Sequence, residues 1–239
     1  MRKKRVLLSI AILFVAIVVA VCVVGVLLKQ KPDFYTREMA NSGTPDDQSL
    51  AINTVNRISD LQAAMFRDPD LASTGSWTWG ATFTAEDVNA LLRENRTRQS
   101  DLSAKLFGEL DDPRVAIEDD RLRIAFRYGE GFWSTIVSVE MRMWLVTDEA
   151  DTIAIEITGL SAGSLPLNKQ WPLDQITEVL RSQHVDVKWY RNKGNKGNPV
   201  GICQLFVNRT QRDTHLLGLK LADGRFTVAG RHTDASAVP

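Results

Sequence analysis

One serine lies in a pattern that could support nucleophilic catalysis. Residues 159–163 read Gly-Leu-Ser-Ala-Gly, which matches the G-x-S-x-G letters of a hydrolase nucleophile elbow. An elbow needs a strand before it, a helix after it, and an acid and a histidine later in the chain. A strand is expected just before, but residues 164–167 read Ser-Leu-Pro-Leu, which is a poor helix start. Ser161 is therefore a candidate nucleophile in the least favoured of our hypotheses, with His184 or His215 as conceivable bases.

Two other segments resemble nucleotide-site motifs by their letters. Residues 148–151 spell Asp-Glu-Ala-Asp, as in the DEAD box of helicases, after an apolar strand. Such a site needs a phosphate-cradling G-x-x-x-x-G-K-[ST] loop, which the sequence lacks. The segment is therefore expected to be a hairpin turn, a place that Asp favours. Residues 194–198 lack a following helix start and are expected to form a flexible turn.

Histidine and cysteine spacing does not predict a metal site or a cofactor. The three histidines are far apart in the chain and show no ligand spacing. Cys203 is the only cysteine beyond the N-terminal apolar segment, so the remainder of the chain cannot form an internal disulfide. Because Cys203 lies within the apolar run 200–207, it is expected to be a buried structural thiol rather than a reactive one.

A long extended run offers a candidate site for an apolar ligand. Residues 132–147 alternate with a period of two, which places one set of large apolar side chains on the same face. These residues are Trp133, Val137, Val139, Met141, Met143 and Leu145. A stripe of this kind usually packs in the core. On a curved sheet left partly uncovered, it would instead line a groove for lipid or another hydrophobic ligand.

The N-terminus predicts a single membrane-spanning helix. Residues 6–28 are apolar apart from Ser9 and Gly25, and as a helix they would extend about 34 Å, enough to cross a bilayer. A cleaved signal peptide would have a shorter core and a small-residue cleavage site. Four cations at residues 2–5 predict a cytoplasmic tail at 1–5, although Lys29 and Lys31 weakly oppose this topology. The rest of the chain is then expected to be extracytoplasmic, on a protein of the cell membrane.

The charge of the remainder excludes one class of function. Residues 32–239 carry 23 basic and 29 acidic residues, a net charge of −6. Nucleic-acid-binding domains normally present a clustered basic surface. No nucleic-acid partner is therefore predicted.

The chain divides into a tether, one domain and a tail. Residues 29–44 mix charge with Asn, Ser, Gly and Pro and are expected to be a linker, whereas residues 231–239 are expected to be a disordered tail. Between them, residues 45–230 predict an α+β fold in which an antiparallel meander sheet has helices packed on one side. A helix over 45–67 is expected to face inward with the stripe Ile52, Val55, Ile58, Leu61 and Met65.

Several of these features resemble one family. The N-terminal anchor, the segments 83–92 and 163–167 and the predicted meander are similar to the YpmS-like family of bacterial membrane-anchored extracytoplasmic proteins. The resemblance implies no catalytic residues. The likeness of that family to lipid-handling folds implies at most a lipid role.

Three functions remain open. The favoured one is a non-enzymatic, membrane-anchored envelope protein that acts as a scaffold or partner-binding module. The alternative is a binder of lipid or another hydrophobic ligand. The third is a serine hydrolase that uses Ser161.

Overall fold

The computed structural model describes most of the chain beyond the N-terminal apolar segment. The described residues are 19, 22–40, 47–65, 77–98, 111–131, 134–168, 170, 173–174, 177–178, 181, 185–191, 197–205 and 214–232. Within them the fold is α+β with antiparallel strands, as the sequence predicts. Most of the predicted membrane span lies outside these residues, and no helix among those described is both long and apolar enough to cross a bilayer.

Among the described residues, four helices lie before residue 111, and residues 170, 173–174, 177–178 and 181 are also helical. The four helices are α1 (residues 22–29), α2 (Asp33–Ala40), α3 (Asp47–Met65) and α4 (Ala85–Arg98). The start of α4 is fixed by a capping box. The Thr84 backbone N–H donates to the Asp87 carboxylate at 2.8 Å, and the Asp87 N–H donates back to the Thr84 hydroxyl at 3.1 Å.

In the described part of the chain, ten strands form two sheets, where the sequence predicts one. The strands are β1 (Trp77–Thr84), β2 (Asp111–Glu118), β3 (Arg121–Tyr128), β4 (Thr135–Leu145), β5 (Thr152–Ala162), β6 (Leu165–Pro166), β7 (Val187–Tyr190), β8 (Val200–Gln204), β9 (Thr214–Ala222) and β10 (Arg225–His232). One sheet has the order β1-β10-β9. The other has the order β2-β3-β4-β5-β8-β7, with β6 paired to β5. The predicted meander is its β2-to-β5 part.

The main core lies on one face of the larger sheet. Its buried residues are Phe126, Val137, Val139, Met141, Ile157, Leu160, Ala162 and Leu173, with Leu28 packed against them. A second cluster on the same face joins Val115 and Ile117 to Leu92 of α4 and Leu221 of β9. Alternate residues of β2 and β3 therefore point to a core that α4 and the smaller sheet cover.

Helices lie on both faces of the larger sheet, so the prediction of helices on one side is wrong. The opposite face of β2, β3 and β4 presents Ala116, Ala125 and Ile136, against which α2 packs Phe34 and Tyr35. Small alanines at two of these positions leave room for the two aromatic rings. The larger sheet is consequently enclosed on both sides along this part of its length.

The predicted tether at 29–44 is also wrong for the residues that form α2. Tyr35 is 0% exposed, and its hydroxyl donates to the Asp112 carboxylate at 2.9 Å. Burial, together with this bond to an anion, raises the pKa of Tyr35 to about 12. The segment after α1 is therefore part of the domain, because its two aromatic residues are core residues.

The helix predicted over 45–67 is confirmed as α3, but the inward face is rotated from the expected one. Ala51 and Thr54 are buried, whereas Ile52 and Val55 are 45% and 47% exposed. The small residues let α3 approach α4 closely, where Thr54 donates to Asp87 at 3.4 Å. Part of the predicted apolar stripe thus faces outward.

Asn89 fixes α4 against the larger sheet. Its side-chain amide donates to the Val115 carbonyl and accepts from the Val115 N–H, both at 2.8 Å. The side chain therefore takes the place of a neighbouring strand along β2 and pairs backbone groups that would otherwise be buried without partners.

Candidate functional site

The end of α1 is held by the larger sheet through three hydrogen bonds. The Thr135 hydroxyl donates to the Leu28 carbonyl at 2.6 Å, and the Ser164 N–H donates to the Leu27 carbonyl at 2.9 Å. In addition, the Lys29 ammonium donates to the Ser134 carbonyl at 2.8 Å. We call these residues, together with Gly163, the anchor clamp. The bonds from Thr135 and Ser164 satisfy carbonyls at the C-terminal end of α1, where a helix leaves its last carbonyls without partners of its own.

Gly163 is required by this arrangement in two ways. Its φ of +58° is the left-handed region that favours glycine. A Cβ added there would overlap the carbonyl oxygens of Leu27 and Leu28. Glycine therefore permits the close approach of the β5–β6 turn to the end of α1.

The surface of α1 changes character over one turn. Leu28 packs against the main core, and both Leu27 and Leu28 are half-buried. Before them, Val23, Val24 and Val26 are 51%, 44% and 62% exposed. α1 thus leaves the domain with valine side chains uncovered by the described residues, an arrangement suited to an apolar surrounding.

A cavity of about 330 Å³ lies close to the anchor clamp, on the face of the sheet that also carries α2. It is lined by Pro32, Asp33, Phe34, Arg123, Ser138, Val139, Glu140, Gly159, Leu160, Ser161 and Gly163. The Ser138 and Ser161 hydroxyls share a hydrogen bond of 2.8 Å across β4 and β5. Gly159 helps keep this space open, since a Cβ there would lie 3.2 Å from the Glu140 Cβ.

The charges around the cavity are largely paired with one another. Arg123 lies 3.2 Å from Glu118 and 3.3 Å from Glu140, and its guanidinium is 5.8 Å from the centre of the Phe34 ring. Glu140 also contacts Arg121 at 3.0 Å. The cavity therefore offers hydroxyls, balanced ion pairs and an aromatic wall, which suit a polar ligand without a large net charge.

Ser161 does not lie on a nucleophile elbow. It is part of β5, and the turn after it leads to the short strand β6 instead of the helix that an elbow requires. His215 lies at the other end of β5, where its Nδ1 is 3.1 Å from the Asp151 carboxylate. Ser161 comes ten positions after Asp151 along an extended strand, so the two residues are about 30 Å apart. His184 lies outside the described residues. The geometry thus supplies Ser161 with a hydroxyl partner, Ser138, and keeps His215 far away.

The expected apolar groove is not formed by the β4 stripe. Val137, Val139 and Met141 are buried in the main core under Leu28 and Leu173, so they do not line an open surface. Met143 and Leu145 are half-buried, and Trp133 lies outside the described residues. Leu173, together with Leu221 of the smaller sheet, packs on this face of the larger sheet.

Other expectations from single residues are met. Cys203 is 2% exposed, and burial raises the pKa of its thiol, as expected for a structural cysteine. Residues 148–151 form the turn between β4 and β5. The sequence reading missed Glu38, Asp87 and Asn89, whose buried contacts join helices. For Asp87 the signal was available in Thr84-x-x-Asp87, which is a capping-box spacing.

Among the described residues, no three His, Cys, Asp or Glu side chains gather as a metal would require. The similarity to the YpmS-like family stays a prediction, since no family model, curated protein or solved structure matches the chain.

Proposed function

We propose that this chain is a non-enzymatic, single-pass membrane protein of the cell envelope whose extracytoplasmic domain is a scaffold or partner-binding module. The observation that supports the proposal best is the end of α1, where exposed valines give way within one turn to Leu27 and Leu28 held in the anchor clamp. Exposed valines on an isolated helix would be costly in water and favourable in lipid. The four cations at residues 2–5 favour a cytoplasmic N-terminus.

The anchor clamp also determines how the domain would work. A scaffold on a long tether samples a large volume, whereas a domain bonded directly to its membrane helix keeps a fixed height and orientation. Because α2 is packed on the larger sheet, residues 30–40 do not act as a flexible linker between α1 and the domain. A partner would therefore meet this domain close to the membrane surface.

One face of the larger sheet suits a protein partner. α2 covers only part of that face, and Trp144 of β4 and Tyr190 of β7 are 41% and 57% exposed on the remainder. Arg142 and Glu156 are neighbours in the backbone register of β4 and β5 on this face, where Arg142 pairs with Asp120 at 3.1 Å and Glu156 accepts from the Asn198 amide at 2.6 Å. Tyr, Trp and Arg are enriched at protein interfaces, so exposed aromatic side chains beside an arginine suit a protein partner.

The membrane assignment is tested in two steps. The full-length protein should resist extraction from membranes by alkaline carbonate. Carbonate disrupts electrostatic attachment to the membrane surface, whereas a membrane-spanning helix is held by apolar burial in the bilayer. Protease added to intact spheroplasts should digest residues 32–239 and spare the extreme N-terminus. Release by carbonate, or protection of the whole domain in intact cells, would overturn the anchor or its topology respectively.

The partner-binding face is tested by a photo-crosslinking residue placed at Trp144 in the native membrane. We expect a discrete adduct that is absent when the same residue replaces Glu149, which is exposed on the β4–β5 turn. Loss of the adduct on Tyr190→Ala, with membrane level and fold unchanged, would tie it to this face. If the residue at 144 is crosslinked only to lipid in the native membrane, the proposal of a protein partner at this face fails.

Lipid binding is the second candidate, favoured by the cavity beside the anchor clamp. Pro32 and Phe34, which lie just after the helix end, form part of its wall, so a lipid headgroup has a short route into it. Gentle purification followed by native mass spectrometry should then retain phospholipid. Ser161→Leu, which fills the cavity, should remove that lipid without unfolding the protein, whereas the matched control Ser49→Leu, an exposed change on α3, should leave it bound.

A further inference from the structure

The two ends of the long strands in the larger sheet differ in their chemistry. In the β3–β4 hairpin, Tyr128 pairs with Thr135, and in the β4–β5 hairpin Val137 pairs with Ala162. Since Thr135 binds the Leu28 carbonyl, these residues mark the end at which α1 docks. We call residues 128–131, 134–135 and 162–167, with Lys29 and Lys31, the α1-side edge.

The α1-side edge carries side chains that suit a lipid–water interface. Tyr128, the last residue of β3, is 57% exposed, and Leu167, which directly follows β6, is 39% exposed. Lys29 and Lys31 are exposed beside them. Tyrosine has an apolar ring and a polar tip, and lysine can extend its charge to water, so both residue types are enriched where a helix leaves the bilayer.

Charge alone does not bring this edge to a membrane. Glu130 and Asp33 are exposed close to the two lysines and offset them. The attraction would come from the partial insertion of the tyrosine and leucine side chains, which does not require anionic lipid.

The opposite edge carries an excess of carboxylates, and we call it the acidic edge. Its exposed carboxylates are Asp119, Asp120, Asp148, Glu149 and Asp223. Asp120 is paired with Arg121 and Arg142, and Arg225 is exposed beside Asp223, so these three arginines offset part of the negative charge. Asp120 and Glu149 lie in the turns that close the β2–β3 and β4–β5 hairpins, and the 11 residues of β4 separate the two edges by about 34 Å. An acidic surface is repelled by the anionic lipids common in cell membranes, so this edge favours water.

We infer that the α1-side edge rests in the lipid headgroup layer, with Tyr128 and Leu167 among the headgroups, and that the acidic edge is held away from the bilayer. The inference rests on the proposed membrane anchor. It assigns a further role to the edge itself, because the anchor clamp would hold the domain near the bilayer whether or not these two side chains touch lipid.

The test uses the full-length protein in vesicles of phosphatidylcholine and phosphatidylglycerol. An environment-sensitive NBD group is attached to a single cysteine introduced by Tyr128→Cys, Leu167→Cys or, as the matched control, Glu149→Cys, in a Cys22→Ala, Cys203→Ala background. All three labelled positions are exposed, so the label need not disturb the core. We expect NBD emission at 128 and 167 to rise about twofold or more over that at 149, as for side chains immersed by 5–10 Å in the interface. Lipids brominated near the headgroup should quench the first two labels only.

The outcomes separate the contact from the anchor. If carbonate leaves the protein in the vesicles but all three labels stay dim, the edge does not touch lipid, and the inference fails while the anchor stands. Bright emission at 149 as well would mean a domain lying flat, which also overturns it. Bright labels at 128 and 167 that brominated lipids do not quench would show that another protein surface, and not lipid, covers the edge. Release of the protein by carbonate would instead reject the anchor.

Discussion

Buried polar side chains join the helices of this domain to one another. Asn89 pairs with the backbone of β2 and also donates to the Glu38 carboxylate of α2 at 3.1 Å. Asp87, also in α4, forms an ion pair with Arg57 of α3. α2, α3 and α4 meet through these two carboxylates, and the fold raises the pKa of Glu38 but lowers the pKa of Asp87. The two carboxylates should therefore affect the stability of the packing with opposite pH dependence.

Glu38 is the carboxylate that burial penalises. Burial raises the pKa of Glu38, against the opposing effects of Arg37 and of the bond from Asn89. A raised folded pKa means that its contribution to stability is greatest below the unfolded pKa and is lost as pH rises through the folded value. Glu38→Gln, which keeps an acceptor for Asn89, should therefore gain stability over the native protein between about pH 4 and pH 7. Urea unfolding at both pH values measures this; a constant difference, like that expected for the exposed control Glu149→Gln, would contradict it.

Asp87 should behave in the opposite sense. Burial favours its protonated form, but the Thr84 backbone N–H and the Arg57 guanidinium outweigh this and lower its pKa. Its contribution is therefore present at neutral pH and is lost as pH falls through the lowered folded value. Asp87→Asn should cost about 2–3 kcal/mol at pH 7 and progressively less in acid. Urea unfolding of Asp60→Asn, an exposed change on α3, is the control; equal losses at pH 7 would refute the role of the Asp87 contacts.

At the scale of elements, the anchor clamp joins a helix end to two strand ends. A helix C-terminus leaves carbonyls without partners, and here a side chain of β4 and a backbone N–H after β5 supply donors. The contact depends on the close approach that Gly163 allows. α1 and the larger sheet should therefore move as one unit.

Gly163→Ala should uncouple them. Both Gly163 and Gly131 have positive φ, of +58° and +56°, so alanine costs about 1 kcal/mol of backbone strain at either position. Only at Gly163 would the new Cβ overlap the end of α1; at Gly131 nothing lies within 4 Å. We expect faster hydrogen exchange in residues 27–31 of membrane-reconstituted Gly163→Ala and not of Gly131→Ala. Equal protection in the two variants would show that the clamp tolerates the Cβ.

In the whole molecule, the two sheets pack together through noncovalent contacts, and among the described residues no disulfide joins them. Leu221 of β9 packs with Val115 and Ile117 of β2. At the far edge Asp151 accepts from the Leu216 N–H at 2.6 Å and pairs with His215 at 3.1 Å. Apolar burial, supplemented by such polar contacts, thus replaces the disulfides that secreted domains often use.

Reducing agent should accordingly leave the melting temperature unchanged. Cys203 is buried in the core and Cys22 is on α1, so neither has a partner for an internal bridge. Scanning calorimetry of the full chain with and without reductant should give melting temperatures that agree within about 1 °C. A change of about a few tenths of a kcal/mol in the free energy of unfolding would already cause a shift of that size. A shift of several degrees, abolished by Cys22→Ala, would reveal a bridge between two copies instead.

Features that depend on neighbours along the chain could be predicted from the amino-acid sequence. Period-two alternation located β2 to β5, period-three-and-four spacing located α3, and Asp-rich turns closed the hairpins, because each signal is local. The burial of Cys203 followed in the same way from an apolar run. Topology at the membrane also rests on local signals, the apolar segment at 6–28 and the cations before it, and stays a prediction.

The surfaces that contact one another, in contrast, are visible only in the folded molecule. The outward turn of Ile52 and Val55 follows from the small residues that α3 needs against α4, and the docking of α2 follows from alanines on β2 and β3, some 80–90 residues away. Likewise, the letters G-x-S-x-G do not reveal whether a strand or a helix follows. Nor do they reveal that β5 places Ser161 about 30 Å from Asp151, the residue of the β4–β5 turn that contacts His215 of β9. Contacts between distant segments are set by packing over the whole core, and for that reason local periodicity could not supply them.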